Sequence, residues 1–184
     1  MIVPLFPMQT VLFPGATLSL HVFEPRYREL LKRCRHSGET FGIALIRAGH
    51  EVGGPAVPFD IGTEAAIVAV EDLPDGRANV LVEGRRRFRL LRTIPGKSYH
   101  EGEVEWLRED AGDAEDWRRT VLGLLPDAEA FPEEPVALSY RLAEIVAVTP
   151  AERQGLLEAP DAAERLKRES ALLLRSRPSV REAS

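Results

Sequence analysis

Gly96-Lys97-Ser98 ends the way a phosphate-binding loop ends, with a lysine to meet an anion and a hydroxyl to meet its metal. Such a loop needs a further glycine five residues earlier, where this chain has Leu91. Strand-like segments also flank it on both sides, whereas a phosphate loop must open a helix whose amides receive the anion. The tripeptide is therefore read as a turn. His21, His36, His50 and His100 lack ligand spacing, and Cys34-Arg35-His36 offers only two neighbouring donors, so no metal site is expected. Cys34 could be a nucleophile or a small buried thiol, and its place on an apolar helical stripe favours the second. There is no Gly-x-Ser-x-Gly elbow and no defensible pairing of nucleophile and base. No catalytic residue and no cofactor is expected, and the chain is not read as an enzyme.

The charged residues have two readings. Arg85, Arg86, Arg87, Arg89 and Arg92 form the strongest cluster, and on a strand Arg85, Arg87 and Arg89 would point one way. That row could meet phosphate, as an anion or nucleic-acid patch. It could instead pair across strands with glutamates or anchor a helical part, which suits a chain of net charge -5. Glu101, Glu103 and Glu105 alternate along another strand and share one face, solvated or opposite the arginines. The acidic group Glu109, Asp110, Asp113, Glu115 and Asp116 crosses the joint and a helix start, where negative charge is favourable in any case.

A surface that holds polypeptide should expose a contiguous apolar patch with a polar rim. The candidates are the Leu12-Phe13 turn and the Gly- and Pro-rich loop from Ala48 to Phe59, with Val52, Val57 and Phe59, since loops rarely need so many apolar side chains.

The elements that would carry these residues follow from periodicity. Up to about residue 110 the pattern has period two. Leu18, Leu20 and Val22 alternate within Thr17 to Val22, and Phe41, Ile43 and Leu45 within the next strand. Further strands are expected at Thr63 to Glu71, Arg77 to Arg92 and Tyr99 to Leu107. Leu73-Pro74-Asp75-Gly76 marks a hairpin, and Gly84 a bulge or corner of a curled sheet. One helix interrupts this half, opened by Pro25 and closed by Ser37-Gly38, with Tyr27, Leu30, Leu31 and Cys34 on its buried stripe.

Beyond about residue 112 the period becomes helical. Asp113 to Leu125 is followed by a proline-rich joint and by a helix over Val136 to Val148 with Leu138, Leu142, Ile145 and Val146 on one side. Thr149-Pro150-Ala151-Glu152 reads as a capping box, and Ala159-Pro160-Asp161 begins a last helix with apolar Leu166, Ala171, Leu173 and Leu174. The chain thus divides into a β-rich part, 1–110, a helical part, 111–178, and a frayed tail, 179–184.

Composition sets the class. A chain of 184 residues with 44% hydrophobic and 29% charged side chains can bury its own core. One cysteine forbids an internal disulfide and fits a reducing compartment. The amino terminus is no signal peptide, and no run of 18 apolar residues occurs, so a cytoplasmic protein without a membrane span is expected.

The string Pro4-Leu5-Phe6-Pro7, Val11-Leu12-Phe13-Pro14-Gly15, Leu20 and Phe23-Glu24-Pro25-Arg26-Tyr27 resembles the opening of the amino-terminal, substrate-binding domain of the Lon protease family. Phe41-Gly42-Ile43, Ile61-Gly62-Thr63, Asp75-Gly76-Arg77 and Gly84-Arg85-Arg86-Arg87-Phe88 resemble its small stand-alone members in order and spacing. So do Thr149 to Gln154 and Leu156 to Pro160 in the helical part. The resemblance implies an α+β fold: a PUA-like, partly open β-barrel with one inserted helix, followed by a helical bundle. It implies a module that binds unfolded or partner polypeptides and is linked to protein quality control. It does not carry the ATPase or the protease, whose sequences are not present here. An RNA-binding PUA-like module using the Arg85 to Arg92 strand is the alternative.

Overall fold

A computed structural model describes residues 1–51, 53, 56–95 and 98–176. Val52, the Gly96-Lys97 pair and the tail from Pro178 lie outside the described residues. The chain divides into two compact units, one spanning Met1–Arg108 and the other starting at Glu109. The first unit runs β1 (Ile2–Met8), β2 (Thr17–Val22), α1 (Pro25–Ser37), β3 (Phe41–Gly49), β4 (Ala56–Pro58), β5 (Ile61–Asp72), β6 (Ala78–Ile94) and β7 (Glu101–Trp106). The second runs α2 (Glu115–Leu124), a single 3-10 turn at Ala128–Ala130, α3 (Pro135–Val146), α4 (Pro150–Leu157) and α5 (Ala162–Ser176).

The first strand is one that periodicity does not reveal, because Pro4 and Pro7 lie inside it and proline cannot donate to a ladder. Its pairing shows how both are tolerated. Ile2 to Pro4 run antiparallel to β7, and Leu5 to Met8 run parallel to β3. Leu5 N donates to His100 O at 2.9 Å. The nitrogen of Pro7, two residues on, therefore faces the same edge, past the end of the β7 ladder. Pro4, one residue earlier, faces the β3 side before that register begins. Neither proline removes a bond that the sheet would have made.

The order β1-β7-β6-β5-β3-β4, with β1 also on β3, closes a ring of pairings at one end. At the other end β6 continues from Ala78 to Glu83 between β2 and β5. The sheet is thus mixed and partly closed, not a regular barrel. Phe88, Leu5, Val104 and Leu90 fill the closed part. The β5–β6 hairpin turns at Asp75-Gly76, where Gly76 takes a φ of +79° and its N–H donates to Leu73 O at 2.9 Å.

Gly84 has a different task. Its N–H donates to Ala16 O at 2.9 Å and its carbonyl accepts from Gly15 N at 2.8 Å, which draws the Leu12-Phe13 turn onto the sheet. A Cβ at this position would lie 2.2 Å from Phe13 O. Thr63 Oγ1, fully buried, holds the same turn by donating to Leu12 O at 2.6 Å. Leu12 and Phe13 are consequently core residues, 3% and 0% exposed, and not the surface patch that their place in a turn suggests.

Helix α1 buries Tyr27, Leu30, Leu31 and Cys34, the stripe its spacing sets, and ends with Gly38 at φ 71°, whose N–H donates to Cys34 O. The second unit packs α2, α3 and α5 around Val121, Leu138, Leu142 and Leu166. The Thr149/Glu152 capping box opens α4 with both reciprocal bonds made. One expectation, Ile145 on the buried side of α3, fails here. Ile145 is 54% exposed. The buried face of α5 is Ala162, Arg165, Leu166, Glu169 and Ser170, leaving Ala171 and Leu174 exposed. Two charged side chains on that face disguised its 3.6-residue period.

Candidate functional site

Between β1, β2 and the start of α1 lies a groove of about 260 Å³. Phe6 and Met8 come from alternate positions of β1, Leu20 and Val22 from alternate positions of β2, and the chain then turns through Phe23 into α1. The Phe6 and Tyr27 rings stack at 3.9 Å with 11° between their planes, fixing the helix against the strand. Burial pushes the Tyr27 hydroxyl up to about 12, so it stays neutral. Phe23 remains 45% exposed on the rim, with the His21 ring stacked 6.0 Å away. The groove is apolar within and carries Glu24 and Glu51 on its rim.

The loop singled out in the sequence begins at that rim. Arg26 donates to Glu51 O at 2.7 Å and pairs with Glu24 at 3.1 Å. Glu24 also accepts from Gly53 N at 3.2 Å, and Glu51 accepts from Gln9 N at 2.8 Å. Farther along, the segment is less of a loop than its glycines and prolines imply. Ala48 and Gly49 pair with Val57 and Ala56 as β3 meets β4. Val57 is 48% exposed and Phe59 half-buried, so this segment does offer apolar surface, while Leu12 and Phe13 do not. The signal for the groove itself was an apolar residue, Phe23, placed directly before a helix start with no helical or strand partner of its own.

The arginine row is broken by a bulge. From Thr63↔Arg87 to Ala65↔Gly84, β5 advances two residues while β6 advances three. The extra residue ends the simple alternation, so Arg85, Arg86 and Arg89 are exposed whereas Arg87 is 2% exposed. The exposed members are engaged by carboxylates: Arg85 by Glu83, Arg86 by Glu64, Arg89 by Glu105 and Arg92 by Glu103. Arg86 also lies 3.8 Å over the Trp106 ring. With Arg33 on Glu101, the alternating glutamates of β7 all face arginines.

Among the described residues none in the groove pairs a nucleophile with a base. Cys34 is 1% exposed on the buried stripe of α1, and burial, with Glu39 adding to it, pushes its thiol up to about 11. His21 is hydrogen-bonded to Asn79 at 2.8 Å. Among the described residues no three His, Cys, Asp or Glu side chains come together as a metal site, and no helix is long and apolar enough to cross a membrane.

Comparison with known proteins gives this geometry a setting. The family profile described as the ATP-dependent protease La (LON) substrate-binding domain matches residues 2–175. A Lon protease 2 from Syntrophobacter fumaroxidans is 27% identical over 168 residues, covering 82% of this chain and 21% of that protein. A Lon protease from Parabacteroides distasonis is 29% identical over 62% of this chain and 14% of its own length. The chain thus spans about a fifth or less of these relatives. Among solved structures, a Lon N-terminal domain protein from Xanthomonas campestris superposes with a TM-score of 0.75 and 33% identity, over 97% of this chain and 99% of that one. The N-terminal domain of a Mycobacterium avium complex Lon protease superposes at 0.74 over 96% of this chain and 100% of its own. At 21% identity it speaks for the fold alone.

Proposed function

Because the chain belongs to the family of the ATP-dependent protease La (LON) substrate-binding domain, we propose that it is a non-catalytic polypeptide-binding module that captures apolar segments of unfolded or partner proteins. The observation that carries this reading is the groove floored by Phe6 and Tyr27 and rimmed by the exposed Phe23. Its volume of about 260 Å³ falls below the ~300–1,000 Å³ usual for small-molecule sites, which suits one or two client side chains better than a cofactor. Burying one such side chain contributes about 1.5–3 kcal/mol, so holding a client takes several such contacts. In this reading Val57, exposed, and Phe59, half-buried, are further apolar positions for the client to meet. A role in protein quality control and a cytoplasmic setting accord with the Lon proteases among its relatives. The RNA-binding alternative would have to use Arg85 and Arg89, each of which already faces a glutamate.

The test is an amide-shift titration of the isotopically labelled protein with a permanently unfolded model polypeptide. Saturable shifts at Phe6, Met8, Phe23 and Val57, weakened about ten-fold by Phe23→Ser, support the reading. No saturable shift, or shifts confined to the Arg85 to Arg92 strand on adding single-stranded RNA, would overturn it.

A further inference from the structure

A second cleft of about 650 Å³ lies on a different face of α1, where the helix meets the end of β5 and the start of β6. Its helical wall carries Arg28, Lys32 and His36, with Arg35 beside them. The spacing 28, 32, 36 puts the first three in one row along the helix. All are exposed, and Arg28, Lys32 and His36 make no side-chain hydrogen bond or ion pair among the described residues. That distinguishes them from the arginines of β6, whose exposed members face carboxylates. At the end of the row Arg35 donates to Asp72 from its two terminal guanidinium nitrogens at 2.8 and 3.1 Å. Asp72, Gly76 and Ala78 line the opposite wall, and a Cβ added at Gly76 would lie 2.2 Å from an Arg28 nitrogen. The turn therefore leaves the Arg28 guanidinium room beside the cleft.

From this geometry we infer that the α1 cleft is a docking site for an extended acidic polypeptide segment whose carboxylates stand at every second residue. Four residues of helix rise about 6 Å, so the row of nitrogen-bearing side chains has a repeat near 6 Å. Alternate residues of an extended chain are about 6.7 Å apart and point to one side. A Glu-x-Glu-x-Glu stretch laid along α1 thus brings successive carboxylates to Arg28, Lys32 and His36 with little distortion. The protein contains its own precedent: Glu101, Glu103 and Glu105, alternating on β7, are met in turn by Arg33, Arg92 and Arg89. A short peptide with neutral residues between its acids fits better than a nucleic-acid strand. Every phosphodiester beyond the cleft would run onto a surface of net charge -5, and Glu29 and Asp72 stand in the cleft wall. This inference does not rest on the apolar groove, and the two tests use different probes.

The experiment is an amide-shift titration of the full chain at low salt with the peptide Ala-Glu-Ala-Glu-Ala-Glu-Ala. The control peptide has the same composition with its three glutamates consecutive. Expected are saturable shifts at Arg28, Lys32, His36 and Gly76, weaker binding of the control, and loss of affinity as salt is raised. The double variant Arg28→Gln/Lys32→Gln should bind about five-fold more weakly, as removal of two exposed ion pairs predicts. Arg92→Gln, an exposed arginine outside the cleft, should leave binding unchanged. The inference is overturned if no shift saturates at α1, if the control or the double variant binds as well as the reference, or if single-stranded RNA of equal charge saturates the same amides more tightly.

Discussion

Glu169 offers the sharpest test of the energetics of the helical unit. Its side chain is completely buried, and neither carboxyl oxygen has a hydrogen-bond partner among the described residues. Burial pushes its pKa well above the ordinary 4.5, and Arg165, one turn earlier, pulls it back only in part. Arg165 is committed elsewhere: it donates to Ser139 Oγ at 2.7 Å, to Tyr140 Oη at 3.1 Å and to Leu156 O at 3.1 Å, and stacks 4.0 Å over the Tyr140 ring. The folded state therefore keeps a proton on Glu169 that the unfolded chain releases. With the folded pKa raised, stability is fullest below the unfolded value. It falls as pH rises from about 4.5 toward the folded pKa, at up to ~1.4 kcal/mol per pH unit.

Glu169→Gln replaces the protonated acid by a neutral group of similar shape and removes this titration. As pH rises above about 5 the stability of the variant relative to the parent should rise, with a slope no steeper than ~1.4 kcal/mol per pH unit. Urea denaturation at several pH values measures it. The chain has two tryptophans, Trp106 in the first unit and Trp117 in the helical core, so a Trp106→Phe background reports the helical unit by fluorescence. Other carboxylates titrate in both proteins and cancel in the difference. A difference that stays flat from pH 5 to pH 8 would mean that Glu169 ionises alike in folded and unfolded chains, and the reasoning would be refuted.

Two further outcomes are expected. Gly84→Ala drives a Cβ to 2.2 Å from Phe13 O and must shift the Leu12-Phe13 turn, at a cost of about 1–3 kcal/mol read from Trp106 fluorescence on denaturation. Thr149→Ala removes one half of the capping box on α4 and should cost about 1 kcal/mol, seen in the Trp117 transition and not in that of Trp106.

Period and punctuation made much of this fold legible before any coordinates. Thr17–Val22, the Asp75-Gly76 hairpin, the α1 stripe and the Thr149/Glu152 box are local devices, each specified by residues close in sequence. What stayed hidden was set by distant partners. The Pro4 and Pro7 strand is possible only because β7 stops and β3 starts where the prolines need them to. Leu12 and Phe13 are core because Gly84 and Thr63, far along the chain, receive the turn. Arg87 turned inward at a bulge that the Arg85 to Arg89 run does not announce. On α5, Arg165 and Glu169 broke the apolar period because both are buried, Arg165 donating to Ser139 and Tyr140 of α3 and Glu169 held away from water.

Helix α1 ties the two proposed surfaces together. Its apolar stripe, anchored by the Phe6–Tyr27 stack, fixes the rotation of the helix about its axis. Once that rotation is fixed, the 3.6-residue period decides what every other position faces. The residues before Tyr27 close the apolar groove against β1 and β2, and Arg28, Lys32 and His36 fall beside the β5–β6 hairpin. The groove and the cleft are therefore set by one buried interaction but share no exposed side chain. Substitution of Phe23 should leave acidic-peptide binding intact, and substitution of Lys32 should leave apolar capture intact. Loss of the Tyr27 ring should impair both, because it lets the helix turn.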